Sequence, residues 1–138
     1  MRLLLDTCVI IDWLTDADPF ERNVWDILND PDTKLYVSAE TARELIVSFN
    51  NKKLLSKYWK TAEEMLVAMK EETMVDILPI SERTMFTYSR LTLNEAMDHR
   101  DPSDHVIIAH AITEHLTLLS SDHKFAFYRS QGLDLLEY

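Results

Sequence analysis

The chain has 138 residues, of which 46% are hydrophobic and 28% charged, a balance that suits one globular domain spanning residues 1–138. Its formal net charge of −10, from 14 basic and 24 acidic residues, argues against a protein that grips nucleic acid by bulk charge, and leaves room for a basic partner or a site rich in carboxylates. The single glycine, Gly132, excludes a phosphate-cradling P-loop and a dinucleotide fingerprint, and the single cysteine, Cys8, excludes a disulfide framework and a cysteine-based zinc site.

A reducing cytoplasm is therefore the expected location. No apolar run approaches the roughly 18 residues that cross a bilayer, and the acid at position 6 interrupts the N-terminal apolar run too early for a signal peptide.

Taken in order, Arg2 to Leu5 reads as a buried strand ending at Asp6, followed by a short helix over Val9 to Leu14. A second helix is expected over Phe20 to Leu28, and Asn29 to Thr33 is turn chemistry. Leu35 to Val37 forms the next strand, and Ser38 caps a helix from Ala39 to Phe49. Tyr58, Trp59, Met65, Leu66 and Met69 predict one long helix over Leu54 to Glu72. A strand follows over Met74 to Leu78, then a helix from Ser81 to Ala96. Asp101-Pro102 is a strong helix start, with aspartate at the cap and proline in the first helical position. The helix it opens carries Val106 to Ala109 and is expected to be buried. Thr117 to Leu119 is a fourth strand, Asp122 to Tyr128 a short helix, and Leu133 to Leu136 a fifth strand. Strands that alternate with helices in this way predict an α/β fold, a five-stranded, mainly parallel sheet with helices on both faces.

Ligands of such sheets bind at the carboxyl ends of the strands. Asp6 ends the first strand, Asp122 follows the fourth, Glu44 lies on the helix after the second, and Asp104 sits in the first turn of the helix before the fourth. Singly, each has an ordinary explanation as a helix cap or solvated acid. Together, two carboxylates about 5 Å apart repel by roughly 3 kcal/mol at an effective dielectric near 20, so a cluster asks for a cation. Hard oxygen donors suit Mg2+ or Mn2+, and the chemistry that fits is water attack on a phosphodiester.

Four stretches carry a resemblance. Leu3 to Leu14 (LLLDTCVIIDWL), Leu35 to Leu45 (LYVSAETAREL), His99 to Ala111 (HRDPSDHVIIAHA) and Leu116 to Asp122 (LTLLSSD), followed by Phe125 and Tyr128, occur in order across nearly the whole chain. In this ordered set the sequence resembles the PIN-domain family, in particular the VapC-type ribonuclease toxins of bacterial toxin–antitoxin pairs. The resemblance implies a PIN-like three-layer fold, Mg2+- or Mn2+-dependent cleavage of RNA, a homodimer and a cognate antitoxin whose tail occludes the site. It implies that Asp6, Glu44, Asp104 and Asp122 are the acidic quartet, with Glu44 rather than Glu40 and Asp104 rather than Asp101 in the key places. Thr7 and Ser38 match small hydroxyl positions near the metal, and Ser120 matches one before the last acid. Asp101 could add outer charge, although its role as a helix cap is explanation enough. Three departures are notable: Arg43 stands where many relatives have an aromatic residue, His105 where relatives often have a basic one, and glycine is nearly absent. The first two bear on substrate preference.

Among the histidines His99, His105, His110, His115 and His123, no pair falls at i, i+4, so a zinc helix of the His-Glu-x-x-His type is absent. His105 is the one beside a site acid and is a candidate for substrate contact, the alternative being an ordinary surface or packing role. Lys52, Lys53, Lys57 and Lys60 form the densest basic cluster. On a continuous helix Lys53, Lys57 and Lys60 would share a face toward RNA phosphates, the alternative being a solvated surface. Trp13, Trp25, Trp59 and the methionines are expected in the core or an interface. A different class of function is a non-catalytic scaffold that pairs with a basic antitoxin and contributes to promoter binding. A phospho-acceptor receiver domain shares the architecture but needs a lysine after the last strand, where this chain offers Asp134, Glu137 and Tyr138.

Overall fold

The computed structural model describes residues 1–52 and 54–138. Its central strand is the leucine run at the N-terminus. Strand β1 (Arg2–Leu5) lies between β2 (Lys34–Ser38) and β4 (Thr117–Ser120), with Leu4 opposite Tyr36 on one side and Leu118 on the other. Strands β3 (Asp76–Leu78) and β5 (Asp134–Glu137) complete the edges, giving an all-parallel sheet in the order β3-β2-β1-β4-β5.

Alternation along β1 splits the interior in two, because successive side chains of a strand point to opposite faces. Leu3 and Leu5 enter a core roofed by helices α1 (Thr7–Thr15), α2 (Arg22–Leu28), α3 (Ala39–Asn50) and α4 (Ala62–Thr73), through Val9, Ile10, Val24, Leu28, Leu45, Met65 and Met69. Leu4 enters the other core, formed with α6 (Pro102–Glu114) and the 3-10 helix His123–Gln131 through Ile107, Ile108, Ala111, Phe125 and Tyr128. Helix α5 (Glu82–Arg90) packs outside α6, where the Thr113 hydroxyl donates to that of Thr87 at 2.8 Å. This is a three-layer α/β fold, as the resemblance to the PIN-domain family implies. No helix among the described residues is long and apolar enough to cross a membrane.

Several expected boundaries move, each for a local reason. The single helix expected over Leu54 to Glu72 is two pieces, a 3-10 turn at Leu54–Lys57 and then α4. The Thr61 hydroxyl accepts the Glu64 N–H, and the Glu64 carboxylate accepts the Lys60 N–H, both at 3.1 Å. Two reciprocal caps of this kind start a helix afresh. Lys57 and Lys60 consequently do not share a continuous α-helical face, and Lys53 lies outside the described residues. Helix α4 ends at Met74 in the left-handed region (φ 59), so β3 begins at Asp76 rather than Met74. Helix α5 stops at Arg90 instead of reaching Ala96. Beyond it Thr92 is held by Gln131, which accepts its N–H at 2.8 Å and donates to its carbonyl at 2.9 Å. Helix α2 starts at Arg22 because Phe20 is taken into an edge-to-face cluster with Trp13, Trp25 and Tyr138.

Candidate active site

The sheet order reverses at β1: the chain builds β2 and β3 on one side and returns to build β4 and β5 on the other. Adjacent loops diverge at such a point, leaving a crevice beyond the carboxyl ends of the strands. Asp6 stands at its floor. It caps α1, with Oδ1 accepting the Thr7 N–H at 2.8 Å, and its Oδ2 accepts the Ser120 hydroxyl at 2.8 Å and the Cys8 thiol at 3.3 Å. The Ser120 oxygen also accepts the Asp122 N–H at 3.1 Å, so one hydroxyl at the end of β4 ties the first acid to the last. Asp122 caps the following 3-10 helix through the Lys124 N–H at 2.9 Å.

The other two acids arrive from helices. Ser38 caps α3 by accepting the Glu40 N–H at 3.1 Å, which sets the rotation that turns Glu44 toward α1. There Thr7 Oγ1 donates to Glu44 Oε1 at 2.7 Å and meets the Thr41 hydroxyl at 3.0 Å. Asp101 caps α6 by accepting the Ser103 N–H at 2.9 Å, and this places Asp104 in the first turn. Asp104 Oδ2 lies 2.9 Å from His99 Nε2, and His99, Asp104 and Asp122 each offer a ligand atom within 4.8 Å of the others.

The electrostatics report this crowding. Burial, with Asp101, Asp6, Glu44 and Asp122 acting in the same direction, pushes the Asp104 carboxyl up to about 8. Glu44 is raised by burial and by Asp101, Asp6 and Glu40, against the opposing hydrogen bond from Thr7. Asp6 is raised chiefly by burial and also by Asp122, while Ser120, Cys8 and Thr7 hold it back. Carboxylates that raise one another lose that penalty when a cation sits among them. The side chains of Asp6, Glu44, Asp104 and Asp122 offer only oxygen, which would fit Mg2+ or Mn2+ better than a thiophilic metal.

The remaining candidates separate clearly. Thr7 and Ser120 hold acids of the cluster. Ser38 is fully buried, and its hydroxyl meets the Glu40 N–H and His110 Nδ1 (2.9 Å), so it serves the start of α3 and touches none of the four acids. Asp101 is an exposed cap whose charge reaches Asp104 and Glu44. Arg43 is exposed at the rim, paired with Glu40 and donating to Ser103 Oγ at 2.8 Å, while Ser103 donates to Glu40 at 2.7 Å. Burial alone would raise Glu40, but Arg43 and Ser103 outweigh it and hold the carboxyl below its ordinary value. His105, a candidate for either substrate contact or packing, is 2% exposed and packed against His99 and Tyr128, because α6 turns it into the core. Lys57 lines a separate open groove with Lys52, Tyr58, Trp59 and Lys60, into which none of the four acids projects. His99 is the residue that motif reading passed over. The Asp101-Pro102 helix start, which turns the chain back between His99 and Asp104, was the available signal.

Comparison with known proteins supports the fold. The PIN domain model matches residues 3–130. Among solved structures, the chain is similar to VapBC2 from Rickettsia felis bound to a DNA fragment from its promoter, with a TM-score of 0.74 at 19% identity over 99% of this chain and 98% of that one. It is similar to VapBC-1 from nontypeable Haemophilus influenzae, with a TM-score of 0.73 at 22% identity and the same coverage of 99% and 98%. VapBC-5 from Mycobacterium tuberculosis, a member of the VapBC family of toxin–antitoxin systems, gives a TM-score of 0.65 at 18% identity, again covering 99% and 98%. No curated protein is similar enough to count as a match. With its fold, its ordered motifs and a family match over most of its length, the chain belongs to the PIN domain family.

Proposed function

We propose that this protein is a divalent-metal-dependent endoribonuclease that hydrolyses RNA phosphodiester bonds, and that it is the toxin of a toxin–antitoxin pair. The observation that carries the nuclease reading is Asp104, a carboxyl raised to about 8 by burial and by four neighbouring acids at the switch point of the sheet. Asp6, Glu44, Asp104 and Asp122 would hold Mg2+ or Mn2+. When bound, the ion supplies activation of water and stabilisation of the charge that develops on the phosphodiester.

The chain's own residues then have distinct tasks. Thr7 fixes one oxygen of Glu44 through its hydroxyl and one oxygen of Asp6 through its N–H. Ser120 fixes the second oxygen of Asp6. Holding carboxylates in one arrangement before substrate arrives removes reorganisation from the reaction step. At the rim Arg43 is the nearest exposed cation on α3, and it suits a phosphate of the substrate strand. Lys57, in its separate groove, is a more distant candidate for phosphate contact.

The toxin role is supported by likeness of fold to the VapBC structures. A net charge of −10 suits a basic antitoxin segment. A homodimer in a reducing cytoplasm completes the proposal. A second reading, a scaffold that pairs with a basic antitoxin and contributes to promoter regulation without cutting, is favoured by the same charge. RNA cleavage by purified protein supplied with Mn2+ separates the two. Cleavage that is abolished by EDTA and by Asp6→Asn supports the nuclease. Absence of cleavage together with intact antitoxin binding supports the scaffold.

A further inference from the structure

We infer that His99 is a positioning residue for the acidic cluster: its Nε2–H donates to Asp104 Oδ2, fixing that oxygen and leaving the other free to face the cation. The inference rests on the cation reading above.

The His99 side chain is 1% exposed, its ring stacked on Phe125 at 5.4 Å and met edge-on by His105 at 4.7 Å. Its two nitrogens face different partners. Nδ1 lies 3.0 Å from the Tyr128 hydroxyl and Nε2 lies 2.9 Å from Asp104 Oδ2. The Tyr128 oxygen also accepts the Asn94 N–H at 3.1 Å, and a backbone N–H can only donate.

These contacts choose the tautomer. With hydrogen on Nε2, the Tyr128 hydroxyl donates to Nδ1, Nε2–H donates to the Asp104 carboxylate, and every atom of the chain from Asn94 to Asp104 is satisfied. With hydrogen on Nδ1, the Tyr128 hydrogen has no acceptor among the described residues, and once a cation has ionised Asp104 the Nε2 lone pair faces a carboxylate. Buried polar atoms are rarely left in that condition. Burial, reinforced by His105, disfavours a second hydrogen on the ring.

A consequence follows for the cation. His99 lies among potential ligand atoms with Asp104 and Asp122, but a nitrogen that carries hydrogen offers no lone pair to a metal. Its task is to orient a ligand from outside, as hydrogen-bond donors behind metal-binding carboxylates do.

The test has two parts. In Mg2+-loaded protein, a long-range proton–nitrogen NMR spectrum of His99, assigned by its loss in His99→Gln, is expected to show hydrogen on Nε2; hydrogen on Nδ1 would overturn the inference. Mn2+ affinity is then read from the EPR signal of free ion. Tyr128→Phe keeps the ring and removes the hydroxyl, and His99→Phe keeps a planar ring and removes the donor; each is expected to weaken Mn2+ binding about tenfold. His99→Gln, whose side-chain amide can donate toward the same carboxylate, is expected to restore part of the loss. Affinity within about twofold of the unaltered protein in both phenylalanine variants would overturn the inference while leaving the cation reading intact. No Mn2+ binding by the unaltered protein would overturn the cation reading, and this inference with it.

Discussion

Thr7 Oγ1 donates to Glu44 Oε1 at 2.7 Å, joining the first residue of α1 to the middle of α3. This bond holds the one cluster acid carried in the interior of a long helix. Thr7→Val keeps the shape and removes the donor. It is expected to weaken Mn2+ binding about ten- to a hundredfold, as loss of an outer-shell partner does. Fluorescence-quench or EPR titration with Mn2+ measures this, and unchanged affinity would detach Glu44 from the cation.

Ser120 is buried and holds two partners at once, donating to Asp6 and accepting from Asp122 N–H. Ser120→Ala leaves the Asp122 N–H without this acceptor and Asp6 Oδ2 with the Cys8 thiol alone, and an unsatisfied buried group costs about 1–3 kcal/mol. Urea melts of metal-free protein are expected to show a loss of at least about 1 kcal/mol. A loss well below that figure would mean that another donor replaces the serine.

Ser38→Ala tests the opposite expectation. Its hydroxyl caps α3 and meets His110, away from the acids. Removing a helix cap costs about 0.5–2 kcal/mol of stability. Mn2+ affinity is expected to stay within about twofold, since no cluster carboxylate loses a partner. A large drop in affinity with little change in stability would put Ser38 back beside the metal.

Asp104 gives the metal-free protein a distinctive pH dependence. Its carboxyl ionises at about 8 in the fold, against an ordinary value of 3.8. Between these values the folded state holds a proton that the unfolded chain has released, so stability is fully present below the lower value and is lost as pH rises to the upper one. Melting temperatures of metal-free protein are expected to fall between about pH 5 and about pH 8.5, and the fall to shrink in Asp104→Asn or with saturating Mg2+. An equal fall in Asp104→Asn would assign the effect to other groups.

Much of this was legible in the chain. Leu3, Leu4 and Leu5 followed by Asp6 announce a buried strand with an acid at its end, and Asp101-Pro102 announces α6 and so places Asp104 in its first turn. Regular structure and its caps are local, and their signals lie within a few residues. The break before α4 was equally local, written in Thr61 and Glu64, but the aromatic and methionine periodicity on either side masked it. What stayed hidden was long-range. That His105 points inward while His99 points at the site depends on the packing of α6 against the 3-10 helix that carries Phe125 and Tyr128. Likewise, a serine that precedes a helix does not reveal whether its hydroxyl serves an acid of the cluster, as Ser120 does for Asp6, or the helix and a buried histidine, as Ser38 does.

The central claim is that these four carboxylates form a cation site for RNA cleavage. Crystals soaked in Mn2+ and measured for anomalous scattering test it most directly. The account predicts a peak in contact with carboxylate oxygens of Asp6 and Asp104, lost in Asp104→Asn together with Mn2+-dependent RNA cleavage. An empty crevice at saturating Mn2+, or cleavage that survives Asp104→Asn, would contradict it.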